Sequence, residues 1–441
     1  MKDAVRKVAL PSLASSSRIR RSDEFKEEKG TSRGLTNLWL PDDEDQSLAT
    51  RSRLPWLAHL AEAQTWAPAV DRLSDEIRAF EQYVAPSEEE QLVTELALQD
   101  LIQAIKYADE NLDIDIVGSR ATGTADALSD LDVNVSRPRT PASMDSAKAP
   151  MEILNLLERA FRGTHEKIKL DFRPLEVVYN LKSARVPILL CRHRSSGLPI
   201  QIQCTPRTYD STEYVKAFLK EYPTLRSLFK VLKQSLLMRG LTVGSHGGLT
   251  SYPLLNMIVA ALKFSEGKVH PLDAGRQLLS FLDLYCELDF SSQGISTRPL
   301  RFFPKHGGGK QRPSDSVTPD ASLLELFPQE LEGQRKMSLS RGKSGYLMTL
   351  QDPANPFNDV GRSAYMIKDV QATLIDLRAK LNETMAQWDR LSQDSEPSRV
   401  ASRPQALLEP CLGADYRIYE QERSDLQALG QRLLGPSKAT R

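Results

Sequence analysis

Cysteine is scarce in this chain of 441 residues. Cys191, Cys204, Cys286 and Cys411 stand far apart with no paired spacing, and the six histidines are scattered. That pattern suggests neither a disulfide framework nor a zinc site, and makes a reducing compartment the default expectation. Charge of one sign is also lacking: 58 Lys and Arg balance 58 Asp and Glu. The general electrostatic footprint of a strongly basic nucleic-acid binder is therefore missing, and any such affinity must come from a local groove. No apolar run reaches the roughly 18 residues of a membrane span, so none is expected. At 40% hydrophobic, the chain is long enough to bury two cores.

The first 52 residues are rich in Ser, Lys, Arg and acids with little periodicity, and read as a disordered tail. Lys2, Arg6, Lys7, Arg18, Arg20 and Arg21 stand there against Asp3, which fits a mitochondrial presequence and a disordered basic tail alike. Leu73, Ile77, Phe80 and Val84 have helical spacing and Pro86 interrupts them. Ser87 with Glu90 then forms a capping box for a helix through Ile105. A helix over 151–162 and strand-like runs over 175–180, 185–193 and 198–204 predict a small mixed sheet with helices on one face. From about 213 the pattern is helical. The expected division is a tail over 1–52, a sheet domain with preceding helices over 66–212, a helical domain over 213–388, and a charged, partly helical tail over 389–441.

Chemistry concentrates in residues 113–135. Asp130, Asp132 and Asn134 alternate with Leu131, Val133 and Val135, the period of a strand with one polar and one apolar face. Both carboxylates then point one way, roughly 6 to 7 Å apart. Two such oxygen clusters can hold a pair of hard cations about 4 Å apart, which stabilises attacking and leaving oxygens at phosphorus. Upstream, Ile114, Ile116 and Val117 read as a strand running into Gly118 and Ser119, where a backbone without a side chain can approach a phosphate. Taken singly, these residues read as turn carboxylates and a simple helix entry.

Further along, Leu225, Leu228, Phe229, Leu232 and Leu236 form an apolar helical stripe that includes Lys233, a lysine that must snorkel or meet an anion. Gly247 to Pro253 reads as a flexible turn into a capped helix, with Thr250 or Ser251 at its start and Tyr252 able to stack on a base or fill a core. Lys305, His306, Lys310 and Arg312 lie in a Gly-rich stretch over 300–320 that reads as a solvated linker or an RNA-contacting loop.

Three blocks in order carry a resemblance. Gly118-Ser119 followed by Ser129-Asp130-Leu131-Asp132 resembles the signature of the DNA polymerase β nucleotidyltransferase superfamily. Residues 232–262 resemble the helical domain of non-canonical poly(A) polymerases and terminal uridylyltransferases, and residues 351–365, QDPANPFNDVGRSAY, resemble the segment that closes it. The fold so implied is α/β plus α, a nucleotidyltransferase palm with a small mixed sheet followed by a helical PAP-associated domain, with the site in a cleft. Asp130 and Asp132 would bind Mg²⁺ or Mn²⁺. Gly118, Ser119, Lys233 and Ser251 would hold a triphosphate, and Tyr252, Asp352 and Asn358 would frame the base. Family members preferring UTP tend to carry His where this chain has Asn358, so the resemblance implies ATP over UTP.

One position departs from the family. Its active members carry a third acid on a strand after a Val-Pro-Ile strand. Here Val186-Pro187-Ile188 is present, and Gln201 occupies the place of the acid. A carboxamide brings no charge and cannot act as a general base. The resemblance implies an enzyme adding AMP from ATP to RNA 3′ ends. The competing class is an impaired pseudo-nucleotidyltransferase that binds RNA or protein, and a third reading is a nucleotidyltransferase with a non-RNA acceptor. A protein partner supplying RNA affinity, and a cytoplasmic, nuclear or mitochondrial location, are consistent with this reading.

Overall fold

The computed structural model describes residues 50–60, 67–137, 149–165, 173–181, 186–205, 211–305, 321–339, 348–392 and 405–434. In chain order the helices are α1 (Thr50–Arg53), α2 (Ala69–Val84), α3 (Glu88–Ala108), α4 (Gly118–Thr122), α5 (Ala149–Arg162), α6 (Ser211–Glu221), α7 (Leu225–Leu237), α8 (Ser251–Ser265), α9 (Ala274–Glu287), α10 (Ala321–Leu326), α11 (Pro328–Leu339), α12 (Ile367–Ser392), α13 (Glu409–Leu412) and α14 (Arg417–Leu434). The strands are β1 (Asp113–Ile116), β2 (Leu131–Ser136), β3 (Leu175–Leu181), β4 (Ile188–His193), β5 (Pro199–Gln203), β6 (Gln293–Thr297) and β7 (Leu300–Pro304). Among the described residues, no helix is long and apolar enough to cross a membrane.

The chain divides into two compact units. One takes the described residues of 84–215 and 416–434, the other those of 50–83 and 216–415. The expected boundaries differ at both ends, because the apolar face of α2 and the segment 405–415 are buried in the helical unit, while α14 belongs with the sheet.

In the sheet unit the strand order is β1-β2-β5-β4-β3, with β2 and β5 parallel and the other pairs antiparallel. The alternation seen in sequence decides the faces. Leu131, Val133 and Val135 of β2, Leu189 and Cys191 of β4, and Ile200 and Ile202 of β5 are buried in one core with Leu101 and Ile105 of α3 and Leu154 and Leu157 of α5. Each such side chain contributes about 1.5 to 3 kcal/mol on leaving water. Asp132 and Gln201 therefore stand on the opposite face. The capping box forms as its spacing predicts: the Glu90 amide donates to the Ser87 hydroxyl at 3.3 Å and the Ser87 amide to Glu90 Oε2 at 2.7 Å. Glu90 is buried and also receives Arg423 of α14 at 2.7 and 2.8 Å, so the expected C-terminal tail contains a helix that completes the packing of α3.

The helical unit is built around α8, whose residues Pro253 to Leu262 are all buried. The stripe predicted on α7 is buried as its period requires, and Val370, Leu374, Leu377 and Leu381 give α12 its inner face. A two-stranded sheet, β6-β7, interrupts the helices. It takes in the start of the expected linker over 300–320. Lys305 is not loose there, because its ammonium donates to the Phe290 carbonyl at 2.8 Å and burial lowers its pKa. His306, Lys310 and Arg312 lie outside the described residues.

Candidate active site

Three oxygen-bearing side chains converge on the polar face of the five-stranded sheet. In the parallel pair β2-β5, Asp132 lies directly across from Gln201. Asp130, one residue before β2, accepts a hydrogen bond from the Gln201 side-chain nitrogen on its Oδ2. The two aspartates and the glutamine, which lies 71 residues beyond Asp130 along the chain, thus form one cluster. Among the described residues no group of three or more His, Cys, Asp or Glu side chains is poised around an ion. At this cluster an amide stands where a third carboxylate was expected.

Gly118 closes one side of the cluster. Its φ of +67° lies in the left-handed region, and a Cβ placed there would sit 2.2 Å from Asp132 Oδ2. Glycine is required here twice over, for the backbone angle and for the space beside the carboxylate. The Val117 amide donates to the Asp132 carbonyl at 2.9 Å, which joins this turn to β2. Gly118 and Ser119 open α4, a helix of only five residues, too short for its dipole to matter much.

Arg120 was not singled out from sequence, and it is the cation of this loop. Its Nε donates to the Asp130 carbonyl at 3.2 Å and its Nη2 to the Ser129 carbonyl. Burial lowers its pKa, opposed by the attraction of Asp130 and Asp132 and then of Asp126 and Glu90. A charge balance over Asp126, Asp130 and Asp132 would have pointed to it. Asn134, further along β2, takes a structural place. It is buried and clasps Thr205, accepting from the Thr205 amide at 2.8 Å and hydroxyl at 2.9 Å.

The helical unit assembles a second group of the expected residues. Asp352 is 6% exposed and organises it. The Tyr252 hydroxyl donates to Asp352 Oδ1 at 2.8 Å, and the Asn358 side-chain nitrogen donates to Oδ2 at 2.9 Å. Because a carboxylate only accepts, the Asn358 atom facing it must be nitrogen, which fixes the direction of the carboxamide. The Ala354 amide at 2.9 Å and the Asp352 amide to the Asn358 carbonyl at 3.0 Å hold the loop around this network. Tyr252 and Asp352 are 100 residues apart in sequence.

The turn before α8 is tighter than the flexible one expected. Gly247 has φ +80°, and a Cβ there would meet the Tyr365 ring at 2.2 Å. The Tyr365 hydroxyl donates to the Ser245 carbonyl at 3.2 Å. The helix is also not capped as expected, since Thr250 holds the N-cap position with no side-chain hydrogen bond to the first turn. Ser251 is exposed as the first helical residue. Lys233, half-buried on α7, holds its ammonium 5.7 Å from the Phe229 ring centroid, the snorkelling arrangement read from its stripe.

The family model described as Poly(A) RNA polymerase, mitochondrial-like, central palm domain matches residues 73–208. The chain is 23% identical over 336 residues to Poly(A) RNA polymerase protein 1 of Saccharomyces cerevisiae, covering 74% of this chain and 46% of that protein. It is 26% identical over 315 residues to Poly(A) RNA polymerase cid14 of Schizosaccharomyces pombe, covering 68% of this chain and 39% of that protein. The chain thus spans less than half the length of either. In fold it is similar to the polymerase core of TRAMP, an RNA surveillance complex, with a TM-score of 0.60 at 20% identity over 81% of this chain and 98% of that one. It is also similar to mtPAP in complex with GTP, with a TM-score of 0.53 at 13% identity over 80% and 76%. The palm model and the curated relatives agree in kind with the sequence blocks, and over residues 73–208 the chain is similar to the central palm domain of poly(A) RNA polymerases.

Proposed function

We propose that this protein is a template-independent RNA nucleotidyltransferase that adds AMP from ATP to RNA 3′ ends. The observation that carries the proposal is the convergence of Asp130 and Asp132 on Gln201, with Gly118 leaving room beside the Asp132 carboxylate. The donor set is all oxygen apart from the amide nitrogen, which suits a hard divalent cation such as Mg²⁺ or Mn²⁺. Asp130 and Asp132 would hold it. When bound, such cations neutralise charge on the phosphates and stabilise the attacking and leaving oxygens.

The chain's own groups supply the rest. Ser119, at the turn opened by Gly118, offers an amide and a hydroxyl to a phosphate. Arg120 offsets the negative charge of the aspartates. In the helical unit, Lys233 and Ser251, the first residue of α8, would offer positive charge, a hydroxyl and a backbone amide to the triphosphate. Tyr252 and Asn358, both held by Asp352, present a ring face and a carboxamide to the base. One Asn358 N–H is taken by Asp352, which leaves its oxygen and second N–H to pair with an adenine edge. In the reaction the RNA 3′-hydroxyl oxygen bonds to the α-phosphorus as the bond to pyrophosphate breaks, and positioning supplies most of the rate. Gln201 cannot accept the hydroxyl proton, so the proton passes to solvent water.

The deciding experiment is extension of labelled oligo(A) with each nucleotide in Mg²⁺ or Mn²⁺. ATP-dependent extension that Asp132→Ala abolishes is the expected result; equal activity in that variant sinks the assignment. The Gln201 amide on Asp130 favours one competing reading, an RNA- or protein-binding pseudo-nucleotidyltransferase. RNA binding with no extension in either metal would select it.

A further inference from the structure

A single row of cross-strand neighbours leads away from the aspartates. Asp132 of β2 faces Gln201 of β5, Gln201 faces Leu190 of β4, and Leu190 faces Tyr179 of β3. Residues directly opposite one another project from the same face, so all four belong to the polar face that carries the site. Three strand spacings of about 4.8 Å put Tyr179 about 14 Å from Asp132.

The placement of Tyr179 on that face is made by an irregularity. Between Val177 and Tyr179 the register of β3 on β4 shifts. Without the extra residue, Tyr179 would fall in step with Val177 and point into the core. The next residue confirms the facing, since the Asn180 side-chain nitrogen donates to Glu158 Oε2 of α5 at 2.7 Å, on the core side. Tyr179 is 52% exposed, and β3 is an edge strand. An exposed aromatic alone carries little. This one is turned by a bulge onto the row that ends in the catalytic cluster. The neighbouring row carries Arg192, with Glu176 across the strand from it.

We infer that Tyr179 is a stacking platform for a base of the acceptor RNA strand, a few nucleotides upstream of its reacting 3′-hydroxyl. Every base has a π-face, so a ring there binds single strands without reading sequence, and it adds local affinity in a chain of zero net charge. It acts as a positioning residue and touches no reacting atom. The inference rests on the RNA 3′-end reading above.

The test is binding of fluorescently labelled oligo(A), followed by anisotropy, together with steady-state extension, for wild type, Tyr179→Ala and Tyr179→Phe. Tyr179→Ala should raise Kd and KM for RNA by about 5- to 100-fold, the range that loss of one stacked base gives. Its KM for ATP and its kcat at saturating RNA should stay unchanged, and Tyr179→Phe should match wild type. The defect should vanish on a dinucleotide acceptor, too short to span three strands. If wild type and Tyr179→Ala bind oligo(A) equally, the inference is overturned and the proposed function stands. A common loss in both variants with a lowered Tm also overturns it, by assigning Tyr179 to folding. Wild-type protein that fails to bind oligo(A) overturns both readings.

Discussion

The side-chain nitrogen of Gln201 donates to Oδ2 of Asp130. The residue in the place of a third acid is thus a donor to the first one, and with no cation present it relieves the charge of the aspartate pair. Gln201→Asp would replace that donor with an acceptor and set like charges against each other. The variant should lose about 1 to 3 kcal/mol of stability without divalent ions, the usual cost of stranding a buried polar group. It should regain this in Mg²⁺ by more than wild type does, and extend RNA faster. Thermal unfolding with and without Mg²⁺ measures the first effect independently of activity. An equal Mg²⁺ response in both proteins would show that residue 201 does not face the cation.

Gly118→Ala tests the approach of the turn to Asp132. A left-handed φ costs a residue with a Cβ about 1 to 2 kcal/mol. The added methyl also cannot coexist with Asp132 Oδ2 in place. The expected outcome is a folded protein with a small drop in Tm and a loss of kcat of about tenfold or more, since displaced ligands misalign the reacting groups. Unchanged kcat would separate this turn from the chemistry.

Asp352 sets the direction of Asn358, so the two should act together on base choice. Asn358→His should weaken ATP relative to UTP, by about 10- to 100-fold in the ratio of kcat/KM, the range of a bidentate base contact. Asp352→Ala should shift the ratio the same way, because the carboxamide is then free to turn over. A double variant no worse than Asn358→His alone would establish the coupling. Independent effects that add would break it.

Glu76 predicts stability with no direct bearing on activity. It is fully buried on α2 and accepts the Leu407 and Leu408 amides at 3.0 Å each, along with Arg72 at 2.9 Å. Glu76→Gln turns an amide N–H against one of those backbone donors and should cost about 1 to 3 kcal/mol. Glu76→Ala strands Arg72 as well and should cost about 3 to 5 kcal/mol. Urea unfolding reads both. A cost near zero for Glu76→Ala would mean that the 405–412 segment is held by its buried leucines alone.

Much of the fold was legible along the chain because its signals are local. The alternation through Leu131, Val133 and Val135 reports which face of β2 leaves water. The spacing of Leu225, Leu228, Phe229, Leu232 and Leu236 does the same for α7, and Ser87 with Glu90 carries the start of α3 within four residues. Each depends only on the strand or helix period and on burial. The candidate residues were legible too, as types in order: two aspartates, a Gly-Ser turn, and the blocks near Tyr252 and Asn358.

Tertiary structure alone decided what those residues meet. Gln201 reaches Asp130 because β5 pairs with β2 in one register. Tyr252 reaches Asp352 across a separation of 100 residues and there shares it with Asn358. Arg423 reaches Glu90, and Glu76 holds Leu407, across separations of more than 300. Tyr179 faces the site only through a bulge that no period announces. A hydrogen bond is short and directional, so its partner depends on which distant segments pack together and in what register. Burial is an average over many neighbours and shows in each segment's own pattern; pairing is a property of two segments and appears only when both are in place.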